Sequence, residues 1–135
     1  MRFLLDTNAI IDLERGDENL RRQIFRYPKT SIVTSSIVVT EFTIGFYLKH
    51  RQSKSARIAL TRVFQQFCPL PYDHEDAQEA ANLIVQNGLV HRQDLYRDMM
   101  IAAQAKRRGL VVVTNNTRDF YLAIGVGVAN WKVAL

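Results

Sequence analysis

The chain has 135 residues, a net charge of +5 and a hydrophobic content of 47%, values that suit one domain with a buried core. No apolar run is long enough to span a membrane, so residues 1–135 are expected to form a single cytoplasmic domain. The single cysteine, Cys68, excludes an internal disulfide and is expected to pack as a small apolar residue. The basic balance favours a nucleic acid, an acidic membrane or an acidic protein as partner, without choosing among them.

The first half of the chain alternates short β-branched or apolar runs with segments of helical periodicity. Capping residues and glycines set the predicted boundaries. In chain order, the predictions are a strand over 2–5, a helix ended by Gly16, a helix over 18–26, a strand over 31–34, a helix capped by Ser35 or Ser36, a helix over 53–66 and a strand over 67–70.

The second half continues the alternation. The predictions are a helix that begins at Asp73 or His74 and ends at Asn87, a helix over 94–108 stopped by Gly109, a strand over 110–113 and an edge strand over 126–131. Alternation of this kind indicates a parallel sheet with helices on both faces. The predicted fold class is therefore α/β, a three-layer α/β/α sandwich around a short central parallel sheet.

Polar side chains follow two of the predicted strands. Asp6 and Asn8 come after the first strand, and Thr114 and Asn116 come after the strand over 110–113. Open α/β sheets place their active sites at the carboxyl ends of strands. Acidic groups gathered there, without a phosphate-binding loop, predict a site for a divalent metal ion.

Asp6 and Asp98 are the stronger of the acidic candidates. Asp6 has two compatible roles, as the N-cap of the first helix and as a metal ligand. Asp98 falls on the same helical stripe as Leu95 and Ala102, and a carboxylate facing a core needs a partner such as a metal ion, an arginine or a backbone amide. Asp94, one turn earlier, is expected to favour the positive helix start instead.

Glu41 and Asp119 are weaker candidates when each is considered alone. Glu41 has apolar neighbours in the middle of a predicted helix, where a solvated glutamate is the commoner case. Asp119 follows the strand over 110–113 in a segment rich in turn formers, where loop chemistry explains an aspartate equally well. His74 and His91 are expected to be exposed rather than catalytic.

Four segments, taken in order, resemble the motifs of PIN-domain ribonucleases. They are Leu-Leu-Asp-Thr-Asn at residues 4–8, the segment over 35–45 that contains Glu41, Asp-Met-Met-Ile-Ala-Ala at residues 98–103, and the closing loop over 112–120. The resemblance covers essentially the whole chain and is closest to the VapC toxins of bacterial toxin–antitoxin pairs. It implies RNA cleavage dependent on Mg²⁺ or Mn²⁺, and neutralisation by a small VapB-like antitoxin that alone would contact DNA.

The resemblance also assigns roles. Asp6, Glu41 and Asp98 match the three core acids of the family, with Asp6 and Asp98 as direct metal ligands and Glu41 as a ligand or as the group that orients water. Where many relatives carry a further acid, this chain has Asn116, and Asp119 is the candidate that replaces it. Supporting polar residues are expected to be Asn8, Thr114 and Asn116.

Basic residues are the candidates for contact with RNA or antitoxin, namely Lys49, Arg51, Lys54, Arg92 and Arg97. The family also implies a homodimer, to which Phe42, Phe46 and Tyr47 are expected to contribute. Two other classes remain open, a catalytically silent binding module within a DNA-binding repressor complex and a phosphotransfer receiver. The receiver requires an acidic pair and a late lysine, of which the sequence has no clear set.

Overall fold

A computed structural model describes residues 1–132 of the chain. Its strands are β1 (Phe3–Leu5), β2 (Ile32–Ser35), β3 (Cys68–Leu70), β4 (Val111–Val113) and β5 (Gly127–Ala129). Its α-helices are α1 (Thr7–Glu14), α2 (Glu18–Phe25), α3 (Ser36–His50), α4 (Lys54–Gln66), α5 (His74–Gln86), α6 (Tyr96–Arg108) and α7 (Thr117–Phe120). The predicted alternation of strands and helices is confirmed, and α7 is an additional short helix inside the segment predicted as a loop.

The five strands form one parallel sheet in the order β3-β2-β1-β4-β5. Phe3, Leu4 and Leu5 are all buried. Successive strand residues point to opposite faces, so burial of all three means that both faces of the sheet are covered. This arrangement confirms the predicted α/β class with a central parallel sheet.

The direction of the strand order reverses beside β1. The chain proceeds outward from β1 to β2 and β3, and then returns to β1's other side to build β4 and β5. Ligands of open α/β sheets bind outside the carboxyl ends of the strands at such a reversal. Residues that follow β1 and β4 are therefore placed where this fold supports a site.

Helix α6 begins later than its sequence predicted, because a 3₁₀ turn over Gln93–Leu95 precedes it. Leu95 is the N-cap residue and provides no side-chain hydrogen bond. The prediction that Asp94 caps the helix is wrong, although Asp94 does lie in the turn that leads into α6. Its carboxylate instead pairs with Arg92 at 2.9 Å on the exposed surface.

Two further expectations about apolar residues are wrong. Cys68 is exposed on β3 rather than packed. Of the residues expected to contribute to a homodimer, Phe42 belongs to the buried core, whereas Phe46 and Tyr47 are half-buried. The exposed apolar side chains of α3 are Ile44 and Leu48, at 57% and 84% exposure. The homodimer stays a prediction.

Among the described residues, none of the helices is both long and apolar enough to cross a membrane.

Candidate active site

The site begins at Asp6, the residue between β1 and α1. One carboxylate oxygen accepts a hydrogen bond from the Thr7 backbone N–H at 2.8 Å, which makes Asp6 the N-cap of α1. The other oxygen accepts from the Thr114 hydroxyl at 3.1 Å, across the β1–β4 boundary. Asp6 is only 1% exposed. The buried Asp6 side chain therefore caps α1 and also belongs to the site.

Thr114 and Asn8 connect the two strand ends. The Asn8 amide donates to the Thr114 hydroxyl at 3.1 Å, and the backbone N–H of Asn116 donates to the same hydroxyl at 3.0 Å. The side-chain oxygen Oδ1 of Asn8 accepts a hydrogen bond from the Asn115 backbone N–H at 3.0 Å. These bonds fix the loop after β4 against the start of α1, and so fix the oxygens of Asp6.

Asp98 reaches the same place from the first turn of α6. It is 6% exposed, and its inward stripe partners Leu95, Ala102 and Ala105 are buried, as the helical spacing predicted. Gln104, also buried, holds this helix against the sheet by accepting from the Ser35 hydroxyl at 2.5 Å. The register of α6 on the sheet therefore directs the Asp98 carboxylate to the carboxyl ends of β1 and β4.

The Arg97 guanidinium lies between the carboxylates. Its Nη2 donates to Asp6 Oδ1 at 2.6 Å and to the Thr7 hydroxyl at 2.7 Å. Its Nη1 donates to Asp98 Oδ1, and its Nε donates to Glu41 Oε2. Asp6, Glu41 and Asp98, which lie far apart in the sequence, are brought together around one cation.

Glu41 extends from α3 and closes the outer side of the cluster. Its side chain is 47% exposed, so the sequence expectation of a solvated helix glutamate describes it better than burial does. Besides Arg97, Glu41 Oε2 accepts a hydrogen bond from the Thr7 hydroxyl at 3.1 Å. Glu41 is therefore the carboxylate of the three with the freest access to solvent.

Asn116 and Asp119 complete the far side of the site. The Asn116 amide donates to Asp98 Oδ2 at 3.3 Å and to Asp119 Oδ2 at 3.0 Å. Asp119 lies on the short helix α7 and reaches the cluster through this amide. Asn116 thus bridges two acids, and Asp119 supplies a fourth carboxylate near the position where the sequence lacks one.

Burial and charge act differently on the groups of this site. Burial raises the pKa of Asp98 to about 6, and repulsion from Asp6 and Asp119 adds to that effect while Arg97 opposes it. Burial also disfavours the charge on Arg97, but Asp6, Glu41 and Asp98 outweigh it, so the pKa of Arg97 is raised. The cluster holds more negative charge than its arginine neutralises.

The donor chemistry of the site fits a hard divalent cation. Carboxylate and amide oxygens from Asp6, Glu41, Asp98, Asn116 and Asp119 are the ligand type that Mg²⁺ and Mn²⁺ prefer. Within residues 1–132, however, no three acidic, histidine or cysteine side chains are arranged to hold one metal ion together. The Arg97 guanidinium lies between the acids.

The predicted basic contact residues separate into two groups. Lys49, Arg51 and Lys54 are exposed around the junction of α3 and α4, and Arg92 is exposed and paired with Asp94. The Arg97 side chain is 32% exposed and points into the acidic cluster, drawn there by Asp6, Glu41 and Asp98. Its contact with RNA or antitoxin stays a prediction.

Thr7 and Gln104 were not among the predicted site residues, and Arg97 was predicted to contact RNA or antitoxin but not to pair with the acids. Three acids at one sheet edge need a cation, and Arg97 directly precedes one of them, so charge balance was the available clue. Thr7 follows Asp6 immediately, and its hydroxyl links Arg97 to the acid on α3. Gln104 gave no clue, since a buried glutamine on an alanine-rich stripe is recognised only from its partners.

An open groove of about 460 Å³ adjoins the cluster on the α3 side. Glu41 lies on its border, Phe42 and Phe46 contribute an apolar wall, and Lys49 stands on its rim. The site is therefore continuous with a surface that offers both apolar contact and positive charge.

Taken together, the topology and the side chains define a parallel α/β domain with carboxylates gathered at the reversal of its strand order. The family model described as "PIN domain" matches residues 3–124. The chain belongs to the PIN-domain family, as the ordered motifs predicted.

Similar proteins cover nearly the full length of the chain. One is named tRNA(fMet)-specific endonuclease VapC, from Shigella flexneri, and is 28% identical over 98% of this chain and 99% of its own length. Another, Ribonuclease VapC1 from Rickettsia felis, is 31% identical over 95% of both chains. Among solved structures, DNA-bound VapBC from Salmonella typhimurium matches with a TM-score of 0.81 and 27% identity, over 97% of this chain and 98% of that one.

Proposed function

We propose that this protein is a toxin of the VapC type, a metal-dependent endoribonuclease that a small VapB-like antitoxin neutralises. The observation that carries the proposal is the convergence of Asp6, Glu41 and Asp98 at the carboxyl edge of the sheet, around one cation. The names of the relatives supply the substrate class, RNA, and make tRNA(fMet) the first substrate to assay. A cytoplasmic location is part of the proposal, since RNA and the antitoxin are encountered there.

The residues divide the work of hydrolysis. Asp6 and Asp98, both buried and fixed by hydrogen bonds, would hold a divalent ion, with Asn116 and Asp119 completing the set of oxygens. When bound, that ion would acidify a coordinated water and offset the charge on the phosphate oxygens. Glu41, the most accessible of the three core acids, would orient the attacking water and accept its proton as the oxygen bonds to phosphorus and the bond to the leaving ribose oxygen breaks.

The surfaces around the site support both partners. Exposed Lys49, Arg51 and Lys54 would contact RNA phosphates, which give affinity with little sequence choice. The adjoining groove, with its wall of Phe42 and Phe46, suits the apolar face of an antitoxin helix. An antitoxin bound there would cover Glu41. The DNA-binding part of the antitoxin would contact DNA, so this protein would be linked to DNA only through its antitoxin.

Cleavage of tRNA(fMet) and of an elongator tRNA by the purified protein tests this function. We expect cleavage with Mg²⁺ or Mn²⁺, none with EDTA, and none by the Asp6→Asn variant. Asp94→Asn is the matched control, because Asp94 is an exposed acid beside α6 that lies outside the cluster. Cleavage that persists in EDTA would refute the metal dependence. Intact RNA under every condition, with antitoxin binding retained, would establish the silent binding module instead.

A further inference from the structure

Arg97 makes more contacts with the acidic cluster than any ordinary surface arginine would. Three of its nitrogens donate to oxygens of Asp6, Glu41 and Asp98, and Nη2 also donates to the Thr7 hydroxyl. Guanidinium groups match carboxylates in this forked geometry, and each such bond is charge-assisted. The side chain is thus held by residues at the start of α1, on α3 and on α6.

Arg97 binds one oxygen of each of the three core acids, the carboxylates to which the proposed function assigns the divalent ion. Asp6 Oδ1 and Asp98 Oδ1 both face the guanidinium, and Glu41 Oε2 accepts from its Nε. The guanidinium lies between these acids, and within residues 1–132 no three acidic, histidine or cysteine side chains are arranged to hold one metal ion. A metal ion that used any of these three oxygens would have to displace the guanidinium from it.

We propose that Arg97 is an internal counter-cation, which stabilises the metal-free site and must leave these oxygens before a divalent ion binds. The inference rests on the proposed function, since it concerns the metal of that same site. Asp6 and Asp98 are almost fully buried, and buried carboxylates without a partner are strongly unfavourable. A side chain that supplies the missing charge preserves the fold in the absence of metal and lowers the apparent metal affinity.

The position of Arg97 on α6 allows this exchange without rearrangement of the backbone. It lies in the first turn of the helix, next to Asp98, and its side chain is 32% exposed. Rotation about its own side-chain bonds moves the guanidinium toward solvent, while Asp98 stays fixed by the Asn116 amide. Asp6 likewise keeps its bonds to the Thr7 backbone and to Thr114.

Mn²⁺ binding in the absence of RNA tests the competition directly. Free Mn²⁺ is measured by electron paramagnetic resonance during titration of the parent protein, Arg97→Gln and Arg97→Lys. We expect Arg97→Gln to bind Mn²⁺ roughly tenfold more tightly, a coupling of ordinary size between two sites. Arg97→Lys keeps the charge but loses the fork, so we expect an intermediate affinity.

Arg92→Gln is the matched control. It removes one arginine from the segment that leads into α6, but that arginine pairs with Asp94 and not with the cluster. We expect its Mn²⁺ affinity to stay within about twofold of the parent, because exposed charges are screened. An equal gain in Arg92→Gln and Arg97→Gln would overturn the inference, since the effect would then be one of overall charge.

The remaining outcomes separate this inference from the proposed function. Equal or weaker Mn²⁺ binding by Arg97→Gln overturns the counter-cation while leaving metal-dependent cleavage intact. Tighter binding with no RNA cleavage supports the counter-cation and counts against the nuclease. Absence of Mn²⁺ binding in the parent and in Arg97→Gln overturns both.

A measurement on the unsubstituted protein gives an independent answer. The Nε–H of Arg97, held by Glu41, is followed by ¹H–¹⁵N NMR during titration with diamagnetic Mg²⁺. We expect this resonance to move to the position of a solvent-exposed arginine as Mg²⁺ saturates the site. An Arg97 resonance that stays unchanged at saturating Mg²⁺, while the Asp98 signals shift, would refute displacement.

Discussion

Helix α6 carries an arginine–carboxylate cluster at each end, and the two are built differently. At its C-terminal end, Arg107 and Arg108 both donate to buried Asp76, at 2.5 and 2.9 Å. Burial opposes that charge, but the hydrogen bonds outweigh it and lower the pKa of Asp76 to about 2. At the N-terminal end, burial raises the pKa of Asp98 to about 6 despite its contact with Arg97.

The difference lies in how many cations serve each buried acid. Two arginines converge on buried Asp76 and tie α5 to α6, and their further partners, Asp73 and Glu75, are exposed acids. The buried carboxylate is therefore ionised and its charge is compensated. One arginine is shared among several acids at the other end, so negative charge remains without compensation. The first arrangement is that of a structural tie, whereas the second leaves room for a further cation. This contrast supports the proposed roles, in which Asp98 acts in the site and Asp76 is structural.

Asp98→Asn gives the largest expected effect on activity. The amide keeps the volume and removes one negative charge from an overcharged cluster, so we expect RNA cleavage to fall on the order of a thousandfold. The metal-free variant should be at least as stable as the parent, and it should still bind the antitoxin. The measurements are single-turnover cleavage and urea unfolding in EDTA. Parental cleavage by this variant would refute the ligand role, and failure to fold would make Asp98 structural.

Asp76→Asn is the same change in the other cluster and should have the opposite consequence. Removing the charge leaves Arg107 and Arg108 facing a buried neutral amide, with only the exposed acids Asp73 and Glu75 as remaining partners. Loss of one partner of a buried pair then destabilises by about 3 kcal/mol. Urea unfolding measures this loss. The folded fraction should cleave RNA at the parental rate per molecule. If Asp76→Asn were as stable as the parent, the charge of Asp76 would not stabilise the fold, and the proposed contrast between the two clusters would be wrong.

The fold was predictable because its determinants are local. Apolar runs such as Val111–Val113 ended by polar residues gave the strands, and Gly109 marked the end of α6 with its left-handed φ of 64°. The start of α6 was misjudged, since the 3₁₀ turn over Gln93–Leu95 depends on packing of Leu95 and not on a cap. Boundaries set by tertiary contacts leave little trace in a sequence.

The site was predictable in its acids and unpredictable in its connections. Asp6 and Asp98 stand out because a strand end and an apolar stripe are unusual places for carboxylates. The direction of a long side chain is harder to predict. A residue at position 97 can point either to solvent or to the cluster, and the sequence around it does not decide between them. Only the assembled fold determines that choice, because much of the attraction comes from Asp6, which precedes α1, and from Glu41 on α3.

The pH dependence of stability should reveal the raised pKa of Asp98 in metal-free protein. Its folded pKa of about 6 lies above the unfolded value of about 3.9, so the folded state binds the proton more tightly. The resulting stability is fully present below about pH 4 and is lost as the pH rises through about 6. We expect about 2 kcal/mol to disappear between about pH 4.5 and about pH 7 in EDTA.

Urea unfolding across that pH window, with the Asp98→Asn variant as reference, isolates this contribution. The variant lacks the titrating group, so the difference in unfolding free energy between the two proteins should change with pH. Saturating Mg²⁺ binds the ionised form and should reduce the loss, so metal removal should destabilise the protein more at neutral than at mildly acid pH. Parallel profiles for parent and variant would contradict the raised pKa.

The smallest effect is expected at Asp119, the acid that contacts the cluster through an amide. Asp119→Asn keeps an oxygen acceptor for the Asn116 amide, whose bond to Asp119 is 3.0 Å. We expect cleavage to fall roughly tenfold, the range for residues that orient metal ligands, with an increased requirement for Mg²⁺.

Asn116→Ala is the paired variant, because it removes the bridge to both Asp98 and Asp119. If Asp119 acts only through that bridge, Asn116→Ala should lose at least as much activity, and the double variant no more. If Asp119 contacts the metal itself, the two losses should multiply, and a loss as large as that of Asp98→Asn would place Asp119 among the direct ligands.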